Sequence, residues 1–206
     1  MLGGVREWLQ YRQDAFGNPT VVWTDGPDFD LIRTRWTADP EFVEALIAHG
    51  LLARDPLAAE ALTHLDLDPE ARQRFSRVLR DCLDSRAVAF HLRAVQALYL
   101  LTSDESWSAE VVRVLLGAGF WSDRREAARI AGRFSPTCSV IRALSQAIED
   151  PDFLVRREAA MALLSFAALV PDARLLAEIG TRATPAQWAA AARGIAERAT
   201  MVADSH

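Results

Sequence analysis

The chain has no lysine and little cysteine, and each shortage argues against a class of protein. All 23 basic side chains are arginine, and 28 acidic side chains bring the formal net charge to -5 over 206 residues. A net acidic chain is not expected to coat nucleic acid, because such binding depends on neutralising many phosphates. Two cysteines, Cys82 and Cys138, cannot form a disulfide framework, so we expect a reducing, cytoplasmic compartment.

Long apolar runs are also missing. No run approaches the roughly 18 residues that a transmembrane helix needs. The first residues lack a basic stretch followed by an apolar core, so we expect neither a signal peptide nor a membrane partner. The chain is nevertheless 50% hydrophobic and only 25% charged, which is not the composition of a disordered protein. We therefore expect a folded chain with a sizeable core.

Prolines mark the starts of helices. Side chains of Asp, Ser and Thr accept hydrogen bonds from a first helical turn, and proline at the next position lacks an N–H and has a helix-compatible φ. Apolar residues at helical spacing follow these pairs, whereas alternating strand patterns are nearly absent after residue 40. The pairs that predict helix starts begin at Asp39, Asp55, Asp68, Ser135, Asp150 and Thr184.

An internal repeat is the second signal. Four segments align without gaps, at 57–65, 93–101, 126–134 and 158–166, and a weaker fifth copy covers 190–198. Each period is long enough for two helices and two turns, and neither helix pair could bury its apolar face alone. The shared small residues suit a face where another helix passes closely, and the shared leucines suit the layer between repeats; these are Ala58, Ala94, Ala127, Ala159 and Ala191, with Leu62, Leu98 and Leu163.

The fourth copy carries a family resemblance. Residues 150–163, with Asp150, the pair Val155-Arg156, two alanines and a leucine, resemble the second half of a HEAT repeat. The resemblance implies a helical solenoid in which Asp150 and Arg156 bond along the turns, with the second helix of each pair on the concave face. His91 and Arg124 fall at the Arg156 position in earlier copies. We therefore do not expect a continuous series of Asp–Arg bonds from turn to turn, an Asp–Arg ladder, to extend into those copies.

The predicted fold is all-α: a right-handed α-solenoid of about five HEAT-like helix pairs over residues 39–206, with an irregular N-terminal cap or arm over 1–38, forming one compact domain. In that first segment we expect a short helix over Val5–Gln13, an extended stretch over Thr20–Trp23, and apolar anchors at Leu31, Ile32 and Trp36. The predicted helix pairs are 40–52 with 56–66, 69–84 with 87–102, 107–117 with 122–134, 136–149 with 152–169, and 172–182 with 185–201.

Charge is unevenly distributed along the chain. Residues 14–60 carry a net charge of -6, residues 70–93 carry +3, and residues 121–135 carry +2. Arg125, Arg129 and Arg133 recur every four residues and so share one side of a helix. Arginine binds carboxylates through two parallel hydrogen bonds and is enriched, with tryptophan, at interface hot spots. We interpret the stripe either as a solvated, salt-bridged face or as a groove for an acidic partner.

The sequence contains no pattern that specifies catalysis. The histidines are too sparse for a zinc site, the Asp25–Asp30 loop has the wrong spacing for calcium, and phosphate-binding and nucleophile-elbow motifs are absent. We therefore expect no cofactor, no metal and no catalytic residue.

These observations favour a non-enzymatic protein-interaction module, a scaffold, adaptor or immunity-type binder of bacterial origin, that uses its concave face and N-terminal arm. The alternative is a DNA-binding enzyme, because some solenoids of this architecture are DNA glycosylases; Trp121, Asp123, Arg124 and Arg125 could line such a groove. Nucleic acid is the less favoured partner at this net charge. The predicted partner-binding residues are Trp121, Arg124, Arg125, Arg129, Arg156, Arg157, Trp23, Arg33 and Arg35.

Overall fold

The computed structural model describes residues 2–16, 27–83, 87–167 and 193–201. Every regular element within these ranges is an α-helix or a 3-10 helix, so the predicted all-α fold class is confirmed. The chain divides into two compact units, Met1–Ser103 and Asp104–His206.

The first unit contains two stacked helix pairs and two helices that precede them. Its α-helices are α1 (Leu2–Phe16), α2 (Asp30–Ala38), α3 (Pro40–Leu52), α4 (Pro56–Ala61), α5 (Pro69–Cys82) and α6 (Val88–Thr102), and a 3-10 turn at Leu62–His64 extends α4. Within each pair, α3 packs on α4 and α5 packs on α6. Between the pairs, α3 contacts α5 and α4 contacts α6, so first helices form one layer and second helices form the other.

The second unit repeats this arrangement. After a 3-10 turn at Glu105–Trp107, its helices are α7 (Ser108–Gly117), α8 (Trp121–Ala131), α9 (Cys138–Ala147) and α10 (Phe153–Phe166), and residues 193–201 are also helical. The pairs are α7 with α8 and α9 with α10, while α7 contacts α9 and α8 contacts α10 across them. The small residues and leucines of the repeat are buried at every described position, as predicted, and Ala191 lies outside the described residues.

Three of the predicted helix starts are confirmed by their capping bonds. Asp39, Asp55 and Asp68 each precede a proline in the first helical turn. Their carboxylates accept the backbone N–H groups of Phe42, Leu57 and Ala71 at 3.2, 2.9 and 2.7 Å. The Thr184 start lies outside the described residues.

Two other predicted starts, at Ser135 and Asp150, are wrong by two residues. The cap of α9 is Thr137 and the cap of α10 is Asp152, which accepts the backbone N–H of Leu154 at 2.9 Å. The physical reason is competition from tertiary partners. The Ser135 hydroxyl donates to Glu105 Oε1 at 2.7 Å, and the Asp150 carboxylate is bound by a distant arginine that is described below.

The N-terminal segment is more helical than predicted. The short helix expected near Val5–Gln13 is present within α1, but Leu31, Ile32 and Trp36 lie in α2 rather than in irregular chain. Both helices pack on α3. The extended stretch predicted over Thr20–Trp23 lies outside the described residues.

Trp8 anchors α1. Its side chain is fully buried, and its indole Nε1 donates to the Asp55 carboxylate at 2.9 Å. Gly50 makes this packing possible, because a Cβ there would lie 2.6 Å from the Trp8 ring and 2.6 Å from the Ala58 Cβ. Since Asp55 also caps α4, one carboxylate joins α1 to the first helix pair.

Candidate partner-binding surface

The second helices of the second unit carry an exposed polar face. In α8, Ala127, Ala128, Ile130 and Ala131 are buried, while Arg125 and Arg129 are partly exposed. The third arginine of the predicted stripe, Arg133, is exposed two residues beyond the end of α8. In α10, the exposed and half-exposed positions 157, 158, 161 and 165 recur at helical spacing. We call these seven side chains the second-helix face; its α10 members are Arg157, Glu158, Met161 and Ser165.

Ion pairs neutralise part of this face. Arg129 binds Glu126, one turn earlier on α8, through two hydrogen bonds of 3.0 and 2.9 Å. Arg125 reaches Glu158 on α10 with a nitrogen–oxygen distance of 3.5 Å. Arg133 and Arg157 are exposed, and neither forms an ion pair with another described residue. The face therefore keeps two positive charges that no described carboxylate balances.

A groove of about 240 Å³ runs between α8 and α10 on this face. At its floor the chain just after α8 lies close to α10, because a Cβ on Gly132 would lie 2.9 Å from the Cβ of Ala162. Long side chains stand at its edges; the lining consists of Arg129, Gly132, Arg133, Glu158, Met161, Ala162 and Ser165. Two small residues on the floor and long residues on the walls are what make the groove.

Arg124, a predicted partner-binding residue, is held inside the unit instead. Its Nε and Nη2 donate to the two carboxylate oxygens of Asp150 at 2.6 and 3.0 Å, and its Nη1 donates to the backbone carbonyls of Ala118 and Gly119. The hydrogen bond to Asp150 raises the pKa of Arg124. The expectation that the Asp–Arg ladder does not reach this copy was wrong, because Arg124 occupies the Arg156 position and binds the next repeat's aspartate.

Arg156 is likewise part of the turn structure rather than of the accessible surface. It is only 5% exposed, and its Nη1 donates to the carbonyls of Asp150 and Pro151 at 2.8 and 2.9 Å. Burial lowers the pKa of its guanidinium. Arg156 therefore bonds to Asp150, as the resemblance implied, but it does so through the backbone carbonyl of Asp150. The Asp150 carboxylate binds Arg124. These contacts use both guanidinium groups within the unit and leave the Arg124 side chain 16% exposed and Arg156 5% exposed.

Aromatic side chains lie exposed at the beginning of both second helices. Phe120, Trp121 and Phe153 are 75%, 43% and 48% exposed. Trp121 was predicted as a site residue, but Phe153 was not. The signal was available, because Phe153 follows Trp121 by 32 residues and so holds the same position in the next repeat.

The predicted N-terminal residues lie in the first unit. Arg33 pairs with Asp30 at 3.0 Å, and Arg35 reaches Asp39 at 3.6 Å while its guanidinium carbon lies 5.0 Å from the centre of the Phe42 ring. Burial raises the pKa of the neighbouring Tyr11, and the charge of Arg35 opposes that rise. Arg33 and Arg35 are half or more exposed on α2, and Trp23 lies outside the described residues.

Within the described ranges, no group of His, Cys, Asp and Glu side chains is arranged to hold a metal ion. Over the same ranges, none of the helices combines the length and apolar character needed to cross a membrane. The arrangement of charges and the groove can support binding through ion pairs and apolar contact.

Comparison with known proteins adds one finding. The family model described as HEAT repeats matches residues 108–196, a span that includes α7 to α10 and the whole second-helix face. No curated protein and no solved structure matches the chain.

Proposed function

We propose that the chain, whose residues 108–196 match the family model described as HEAT repeats, is a non-enzymatic module that binds another protein through the second-helix face of those repeats. HEAT repeats are generally scaffolds for protein interactions. Stacked repeats suit this role because they present a regular, extended surface built from successive helices.

The observation that carries the proposal is the unneutralised charge of the second-helix face. Arg157 lies on α10, Arg133 follows the end of α8, and neither has a described ionic partner, whereas Arg125 and Arg129 are paired. Arginine is enriched at interface hot spots, and its planar guanidinium matches a carboxylate. This favours a protein partner with an acidic surface.

The exposed aromatic side chains extend the same surface. Trp121 and Phe153 begin α8 and α10, and the two helices pack side by side. Neighbouring packed helices are about 8–10 Å apart, so the two rings stand close enough to contact one partner. We propose that they contribute apolar contact area beside the arginines, and that Trp23, Arg33 and Arg35 of the N-terminal segment contribute a second contact with the partner.

The finer role that we propose is that of an adaptor or an immunity-type protein, which holds a partner without modifying it. The alternative, a DNA glycosylase-like enzyme, drew on Trp121, Asp123, Arg124 and Arg125. The structure gives this alternative no support, because Arg124 is tied to Asp150 and Arg125 lies beside Glu158. Fewer available arginines mean fewer phosphates that can be neutralised.

The test is affinity capture from the native cell lysate with full-length protein, quantified by mass spectrometry. The test variant is Arg133→Glu/Arg157→Glu, and the matched control is Arg77→Glu/Arg142→Glu on the first helices α5 and α9, where both arginines are exposed and have no described ion pair. Neither test position has a described ion pair to lose, so circular dichroism should be unchanged. We expect a protein that is captured by the wild type and the control but lost from the test variant. Equal capture by all three proteins, or captured nucleic acid that carries the associated proteins, would contradict the proposal.

A further inference from the structure

We infer that the groove between α8 and α10 binds an acidic side chain, together with a neighbouring apolar side chain, of an extended segment in the protein partner. This rests on the proposed function and specifies the chemistry of the segment recognised. Arg133 would bind the carboxylate, and Met161 and Ala162 would contact the apolar group.

The volume of the groove points to a side chain rather than a small molecule. Pockets for drug-sized ligands measure roughly 300–1,000 Å³, and this groove holds about 240 Å³. The groove is also open to solvent rather than enclosed, so it suits side chains of a longer segment that lies across it.

The lining separates an apolar part from a charged part. Met161 and Ala162 lie on α10, and Met161 is an adaptable side chain that fits partners of varied shape. Arg133 follows the last turn of α8, where its guanidinium is exposed. A segment lying along the groove can therefore place a carboxylate at one end and an aliphatic group on the floor.

The charges that line the groove determine which sign of charge the bound segment carries. Glu158, the single carboxylate of the lining, lies 3.5 Å from Arg125, and Arg129 is paired with Glu126. Arg133 is the lining residue whose charge no described carboxylate balances. An incoming Asp or Glu supplies the missing partner, and a second acidic residue can reach Arg157. An incoming Lys or Arg would meet like charge.

The experiment uses the full chain and a phage-displayed library of random short peptides. We expect peptides that are enriched in Asp and Glu beside Leu, Ile or Met. A synthetic copy of the most enriched peptide should lose about tenfold in affinity with Arg133→Ala, and a similar factor when its acids are replaced by Asn and Gln. Arg142→Ala on α9 is the control and should bind the peptide as the wild type does.

Three results would overturn the inference: no enrichment of acidic peptides, equal losses from Arg133→Ala and Arg142→Ala, or binding of duplex DNA that Arg133→Ala weakens while peptides fail to bind. The proposed function can be judged separately. If affinity capture identifies a partner that depends on the second-helix face, but acidic peptides do not bind the groove, the interaction module stands and the acidic-segment inference falls.

Discussion

The ion pair between Arg124 and Asp150 should hold the two repeats of the second unit together. The side chains are 16% and 9% exposed, and two hydrogen bonds of 2.6 and 3.0 Å join them. Asp150→Ala removes the carboxylate from a half-buried guanidinium and leaves the backbone N–H of Asp152 without its acceptor. Arg124→Ala leaves the carboxylate and the carbonyls of Ala118 and Gly119 without their donor.

The expected magnitude follows from that geometry. Breaking a buried ion pair costs about 3–5 kcal/mol. Because both groups keep some contact with water, we expect about 3 kcal/mol of unfolding free energy for each single substitution. The double substitution leaves neither charge unpaired, so it should cost about 4 kcal/mol rather than the sum of the two, a coupling of about 2 kcal/mol.

The assay is a double-mutant cycle measured by urea unfolding, with the slope of free energy against urea compared among the four proteins. The control is the pair Arg113–Glu110 on α7, whose side chains are 64% and 39% exposed, for which we expect a coupling below about 0.5 kcal/mol. If the Arg124 and Asp150 substitutions add within about 0.5 kcal/mol, or if the exposed pair couples as strongly, the assignment of this ion pair as the link between the repeats is refuted.

Three further predictions concern the first unit and the thiols. Gly50→Ala should lower the free energy of unfolding by about 1–3 kcal/mol, because the added Cβ would lie 2.6 Å from the Trp8 ring. Trp8→Phe should lower it by about 1–2 kcal/mol, because the hydrogen bond to Asp55 is lost. Thermal unfolding checks both variants, and unchanged unfolding midpoints would refute the packing of α1. A colorimetric thiol reagent should modify exposed Cys138 quickly and buried Cys82 only on denaturation; two fast-reacting thiols would contradict the burial. Burial raises the pKa of Cys82 above its ordinary 9.0, so the folded state binds this proton more tightly than the unfolded state does. The contribution of the protonated thiol to the free energy of unfolding should therefore be fully present below pH 9 and be lost as the pH rises through the folded-state pKa. Cys82→Ala should flatten this alkaline decline, and an identical decline in the variant would count against it.

The helix pairs could be predicted because their signals are local. At Asp39, Asp55 and Asp68 the capping side chain and the following proline act within one turn, so nearby residues contain the whole cause. Ser135 and Asp150 present the same local pattern, yet partners 30 and 26 residues away take their side chains. The residues around a capping side chain do not show whether that side chain will bind a residue far away in the sequence instead of the helix start.

The sequence predicted where the candidate surface lies, but not which of its arginines are free of contacts within the unit. The spacing of Arg125 and Arg129 correctly placed them on one partly exposed side of α8, but α8 ends at Ala131, so the third predicted arginine, Arg133, lies just beyond the helix. Spacing does not show which arginines carry internal contacts, and Arg124 and Arg156 are used within the turns. The groove was also missed, because it depends on Gly132 approaching Ala162 in another helix.

The central claim is that a protein partner occupies the groove between α8 and α10, and site-specific photo-crosslinking in the native cell tests it most directly. A photoreactive phenylalanine analogue would replace Met161 in the groove wall, with exposed Arg142 on α9 as the control position. The account predicts a nuclease-resistant, protease-sensitive adduct from position 161, competed by an acidic peptide, and no such adduct from position 142. Equal adducts from both positions, or a nuclease-sensitive adduct from position 161, would contradict it.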